Sequence, residues 1–177
     1  VAIGSNALEL STTASYNTAV GYQSMHVTTA SNNSALGWQT LLYNTTGSQN
    51  SAIGKEALRA NTEGNYNTAT GAYSQKNTYG ATSYNSSFGA RSLYSNVYGV
   101  NNTAVGYESL LQNSSGTNNI GIGYTAGFSI TTGSNNTVIG DRNGTAAMAS
   151  TVLIGAGTTE RLKIDSTGSY VAIAWTV

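Results

Sequence analysis

The sequence predicts a mainly β repeat solenoid, in which about ten parallel coils of about 17 residues stack as in a β-roll or β-helix. Three observations carry that prediction. A glycine recurs at Gly4, Gly21, Gly37, Gly54, Gly71, Gly89, Gly106, Gly123, Gly140 and Gly155, at intervals of 15 to 18 residues. An asparagine stands four positions before it at Asn17, Asn33, Asn50, Asn67, Asn85, Asn102, Asn119 and Asn136, and the column fails only at Thr151. Between the two lie a Thr or Ser, a small residue and an aliphatic residue, as in Thr103-Ala104-Val105. The period is too short for a pair of helices and suits one coil that touches only its neighbours above and below.

Each coil begins with a short strand that bends at its glycine, because a β-branched residue bounded by glycine favours extended backbone and then a sharp turn. Alternation of side chains puts the aliphatic residue (Ile3, Val20, Leu36, Ile53, Val105, Ile122, Ile139 or Ile154) on the inner face. Alanine then faces the other way. A residue that small on a free surface points to close approach by another leg or another chain, so a homo-oligomer is expected. After the glycine comes an aromatic residue at Tyr22, Trp38, Tyr107 and Tyr124, and three residues later a leucine or methionine such as Met25, Leu41 or Leu110. The i, i+3 spacing predicts a short helical turn in the second leg, with a bent second strand as the alternative. Loops such as Asn44-Thr45-Thr46-Gly47 close the coil, with glycine supplying the turn and Asn or Ser bonding the local backbone. In this scheme Asn102 belongs to a ladder running along the axis, Ala104 lies against a neighbour, Val105 is in the core, Gly106 is at the bend and Leu110 is in the second leg.

The columns degrade between Thr70 and Val100. Thr70 replaces the aliphatic residue, Gln75 replaces the leucine, the interval lengthens to 18, and tyrosines crowd together. A relaxed core beside a concentration of rings marks Tyr79, Tyr84, Tyr94 and Tyr98 as the candidate receptor-binding residues. The solenoid is expected to occupy residues 1–157 and to end near Gly157, followed by a strand-rich end segment over 158–177 in which Glu160, Arg161, Lys163 and Asp165 alternate with Leu162 and Ile164. At the other end Val1-Ala2-Ile3-Gly4 enters the repeat past its asparagine, as a cut from a longer array would.

Composition narrows the function. Only 8% of the chain is charged, and seven basic residues balance seven acidic ones. The phosphate-neutralising term that dominates nucleic-acid affinity is therefore missing, and nucleic acid is not an expected partner. No apolar run reaches the roughly 20 residues that cross a bilayer, so no membrane insertion is expected. The chain has no Cys, which removes disulfides and thiolate chemistry.

The unit Asn-Thr-Ala-Val-Gly-Tyr, as at Asn102 to Tyr107, followed by Leu and by Asn-Thr-Thr-Gly, as at Asn44 to Gly47, resembles repeats of bacteriophage tail fibres. Its Ala-Ile-Gly and Ala-Val-Gly cores are similar to the head repeats of YadA-like trimeric autotransporter adhesins. The tract Glu160 to Gly168 resembles a segment found in phage fibres shortly before a C-terminal chaperone, and it favours the phage alternative. The resemblance covers about residues 1–157. It implies a homotrimer of parallel coils, displayed extracellularly on a virion tail fibre or, alternatively, on a bacterial surface. Its implied partner is a cell-surface glycan or protein.

Motifs with catalytic or cofactor meaning have simpler explanations in the repeat. Gly121-Ile122-Gly123-Tyr124 fits part of a dinucleotide loop by letter, but both glycines fall in repeat columns and no crossover helix follows, so no cofactor is expected. His26 is the only histidine and lacks the companions of a metal site. Glu56 and Glu108 occupy equivalent columns three coils apart, about 15 Å, which is too far for a glycosidase pair within one chain. A non-enzymatic attachment segment is the leading expectation. A structural shaft and, more remotely, an ice-binding hydroxyl array are the alternatives.

Overall fold

The computed structural model of the chain describes residues 1–156, 159–168 and 170–172. Its first ten strands are β1 (Ala2–Ile3), β2 (Thr18–Val20), β3 (Ser34–Leu36), β4 (Ser51–Ile53), β5 (Thr68–Thr70), β6 (Ser86–Phe88), β7 (Thr103–Val105), β8 (Ile120–Ile122), β9 (Thr137–Ile139) and β10 (Val152–Ala156). They pair in sequence order, each parallel to the next, so the chain winds through about nine turns of a β-solenoid. Two further strands, β11 (Thr159–Ile164) and β12 (Tyr170–Ala172), continue the sheet antiparallel. Gly157 and residues 173–177 lie outside the described residues.

Register follows the columns read from the sequence: Ala35 pairs with Ala52, Leu36 with Ile53, and Ala104 with Gly121. The asparagine column is a continuous buried ladder. Each Oδ1 accepts the backbone N–H of the next asparagine, as from Asn33 to Asn17 (2.9 Å), Asn102 to Asn85 (3.0 Å) and Asn119 to Asn102 (2.9 Å). Each Nδ2 donates across the coil to a loop carbonyl, Asn33 to Gly47 and Asn102 to Gly116 both at 2.9 Å. Asparagine suits this place because it offers an acceptor and a donor at once, satisfying two buried backbone groups per coil.

The two faces of the strand are opposite to expectation. Ala104 is fully buried and Val105 is exposed, and the same holds for Ala35 with Leu36 and Ala52 with Ile53. Val105 is thus not a core residue, and Ala104 lies in the core rather than against a neighbouring chain. The reason is size complementarity inside a narrow coil. Leucines of the second leg, Leu41, Leu58, Leu93 and Leu110, are fully buried and fill the lumen, leaving room opposite them for little more than a methyl group. A Cβ built on Gly121 would stand 2.9 Å from Leu110 Cγ. One turn later the sizes exchange: Gly127 stands in the leucine column and Val138 in the alanine column, where it is fully buried.

The second leg holds no helix among the described residues. Left-handed φ at alternate residues, 52° at both Gln39 and Leu41, reverses the backbone direction that a helix would need. The N–H groups donate to neighbouring coils instead. Gln39 donates to Tyr22 O (2.9 Å), and Leu41 donates to Ala57 O (3.0 Å). The i, i+3 spacing of ring and leucine therefore marks one residue outside and one inside a bent leg, with inter-coil bonds replacing helical ones.

A polar layer divides the core. Gln75 in the leucine column donates through Nε2 to Ser87 Oγ in the alanine column (2.8 Å) and to Thr68 O (2.9 Å). Ser74 Oγ bridges Ser87 and Ser92. This layer separates the apolar cluster of Ala19 to Ala69 from that of Leu93 to Leu153. The buried Gln75 Oε1 and Asn61 Oδ1 have no hydrogen-bond partner. For Asn61 the cause is sequence. Asn61 donates to Asn44 Oδ1 in a second ladder, but the next coil has Thr78 in that column, whose hydroxyl donates to Gln75 O.

Candidate functional site

Inversion of the strand leaves a largely apolar exposed column along β1 to β9, interrupted at Thr70. Ile3, Leu36, Ile53, Phe88, Val105, Ile122 and Ile139 are between 37% and 59% exposed. At one strand spacing per turn the eight steps from Ile3 to Ile139 make the column about 38 Å long. Seven large apolar side chains in one line are more than the singly scattered hydrophobic residues of an ordinary protein surface.

A second surface feature lies beyond the glycine bend, off the sheet face. Lys55 Nζ sits 5.2 Å from the Trp38 ring centroid and 5.3 Å from that of Tyr73. Lys76 Nζ sits 5.0 Å from Tyr73 and 5.9 Å from Tyr94, and the Arg91 guanidinium is 5.4 Å from Tyr94. Arg59 lies over Tyr43 at 5.2 Å. Cation and ring thus alternate along the axis across consecutive coils, because Trp38 and Lys55 share one column, Tyr73 and Arg91 the next, and Lys76 and Tyr94 a third. The carboxylate of Glu56 is buried beneath this row and is paired with Lys76 (2.7 Å) and Arg59 (3.6 Å). Glu108 pairs with Arg91. A hydrogen bond with the Tyr73 side chain, helped by attraction to Tyr73 and Glu56 and opposed by desolvation, raises the Lys55 pKa above the ordinary lysine value.

The four tyrosines singled out by sequence are dispersed. Tyr84 is exposed on the loop side and stacks on Tyr66, with centroids 5.1 Å apart. Tyr79 and Tyr98 are exposed on loop corners. Only Tyr94 joins the cation row. The rings after the repeat glycine stack in pairs along the axis, Tyr22 on Trp38 at 6.3 Å and Tyr107 on Tyr124 at 5.6 Å, while remaining exposed. Lys55, Tyr73, Lys76 and Arg91 belong to no motif in the sequence. Their signal in the sequence is that four of the seven basic residues fall between positions 55 and 91.

His26 faces Glu9, its Nδ1 lying 3.2 Å from Oε2. No cluster of metal-ligating side chains occurs among the described residues. A cleft of about 230 Å³ lies where the last parallel strand meets β11, lined in part by Met148, Leu153 and Lys163, away from the rings described above.

No family model, curated protein or solved structure matches the chain. The surfaces themselves are therefore the ground for a functional reading.

Proposed function

We propose that this chain is a segment of a homotrimeric, extracellular fibre that attaches to bacterial cells, of the kind found in phage tail fibres. The observation that carries the reading is the exposed aliphatic column. A single solenoid leaves it in water, whereas copies packed about an axis parallel to the rod cover it. Such an axis brings equal heights together, Ile53 to Ile53 and Val105 to Val105, and closes the assembly. At about 25 cal/mol per Å² of apolar area removed from water, a column repeated in every turn supplies stability in proportion to the length of the rod. Three copies is the number the repeat resemblance implies.

The same exposed face carries Thr or Ser in its second column, as at Thr18, Ser34 and Ser51. Ile120 breaks that hydroxyl column and Ser is mixed with Thr in it, beside apolar side chains such as Leu36 and Phe88, which favours a protein partner over ice. A shaft without binding activity has one observation in its favour, the regularity of the asparagine ladder. Attachment and spacing are separated by incubating the fluorescently labelled chain with a panel of bacterial cells. Saturable binding to particular strains, competed by unlabelled protein, is expected. Absence of binding across the panel, with the rod intact, leaves the shaft.

A further inference from the structure

We infer that the row Trp38, Lys55, Tyr73, Lys76, Tyr94 and Arg91 is a binding site for an acidic polysaccharide; this rests on the attachment reading and names its ligand class. Four of the seven basic side chains of a nearly uncharged protein converge on one face of consecutive coils. Two carboxylates, Glu56 and Glu108, face them, so the three cations of the row together with Arg59 beside it leave an excess of two positive charges. Lys55 is exposed and makes no ion pair among the described residues, while its ammonium is held between two rings.

This combination matches the two surfaces of a sugar acid. A pyranose offers an apolar C–H face to an aromatic ring, and its carboxylate takes a charge-assisted hydrogen bond from an ammonium or guanidinium. Ring contacts restrict the cations before any ligand arrives, which lowers the ordering cost of binding. Inter-coil bonds place Ala72 and Ala90 in the same column as Lys55 and Tyr107, where other coils carry Tyr22, Trp38 and Tyr124. The row is therefore lowest between Lys55 and Tyr107, directly beside Tyr73 and Arg91. From Trp38 to Arg91 the row crosses three coil steps, about 14 Å, a length suited to a short run of linked sugars. Nucleic acid fits less well, since Glu56 and Glu108 lie among the cations and the excess charge is small.

The test uses the full chain in its native assembly, with polygalacturonate oligomers as probe, dextran as neutral control and single-stranded DNA as the competing polyanion, followed by titration calorimetry. Polygalacturonate is expected to bind with an affinity that falls as salt rises, and dextran to bind at least tenfold more weakly. Lys55→Gln, at an exposed position, is expected to weaken polygalacturonate about tenfold, the scale of one hydrogen bond to a charged group. Lys55→Arg is expected to restore binding to within about threefold. Equal affinity for polygalacturonate and dextran, no binding of polygalacturonate, tighter binding of DNA, or an unchanged affinity in Lys55→Gln would overturn the assignment. Cell binding is measured on the same samples. Cells bound without competition by polygalacturonate would remove the ligand class and leave attachment standing; polygalacturonate bound at the row without any cell binding would do the reverse.

Discussion

Gly106→Ala is expected to cost at least about 4 kcal/mol and to leave the chain unfolded or molten at temperatures where the parent is native. Gly106 has φ of +126°, a region that L side chains rarely adopt, and a Cβ there would lie 2.3 Å from Gly123 O and 2.7 Å from its carbonyl carbon. The obstacle is backbone of the next coil, so no rotamer change relieves it. Separating the coils would break the bond from Gly123 N to Val105 O (2.8 Å) and its equivalents along the stack. Gly80→Ala is the control. Its φ is +60° and nothing lies within 4 Å of the added methyl, so a cost near 1 kcal/mol is expected. Thermal melts followed by far-ultraviolet circular dichroism compare the two, and similar melting temperatures would contradict the coil-on-coil contact.

Substitution of Asn102 has the next largest effect and carries a pH signature. Its Oδ1 accepts the Asn119 N–H, and its Nδ2 donates to Gly116 O (2.9 Å) and Asn85 Oδ1 (3.2 Å), all buried. Asn102→Leu orphans a buried donor and a buried acceptor and is expected to cost about 2–5 kcal/mol. Asn102→Asp keeps the shape but turns a second oxygen toward two acceptors. The protonated acid can donate to Gly116 O, whereas the carboxylate cannot, so folding raises the pKa of this group above its unfolded value of about 3.9. An acid whose folded pKa is raised contributes fully below the unfolded pKa, and its contribution is lost as pH rises through the folded value. Urea midpoints of Asn102→Asp relative to the parent should therefore be closest near pH 3.5 and diverge toward pH 7. A constant difference across that range would show that the side chain is not enclosed by acceptors.

The period, the strand at each repeat and the asparagine ladder were legible because a solenoid copies one local solution into every coil. An amide repeated at Asn17, Asn33 and Asn50 has few uses other than bonding its own copies. Which face of the strand points inward was not legible from alternation, since parity alone gives Ala104 and Val105 equal standing. The deciding information is a correlation between legs: Gly121 where Leu110 fills the lumen, Val138 where Gly127 leaves it empty, and Ser87 opposite Gln75. The helical turn failed for a related reason, because three-residue spacing in a leg with alternating left-handed φ separates outside from inside without winding.

Proximity in sequence was a poor guide to the site. Residues Tyr79, Tyr84, Tyr94 and Tyr98 lie within twenty positions, yet a 17-residue coil carries neighbours five or ten apart to different sides of the rod. Residues one coil apart are the ones that meet, as Trp38 and Lys55 do, and Lys76 and Tyr94. Aligning the chain by its glycines and reading down the columns would have placed Lys55 and Arg91 beside the rings. The sequence marks Glu56 as an acid of a surface column, whereas it is buried, because Arg59 of its own coil and Lys76 of the next cover and neutralise its carboxylate.

Covering the exposed aliphatic column requires further copies of the chain, and the mass of the native particle reads this out. Sedimentation equilibrium on the full chain at micromolar concentration should give three chains of 18.2 kDa, about 55 kDa, with no decrease on dilution through the accessible range. A folded particle of 18.2 kDa would contradict it, because Ile53, Val105 and Ile122 would then face water along the full length of the sheet.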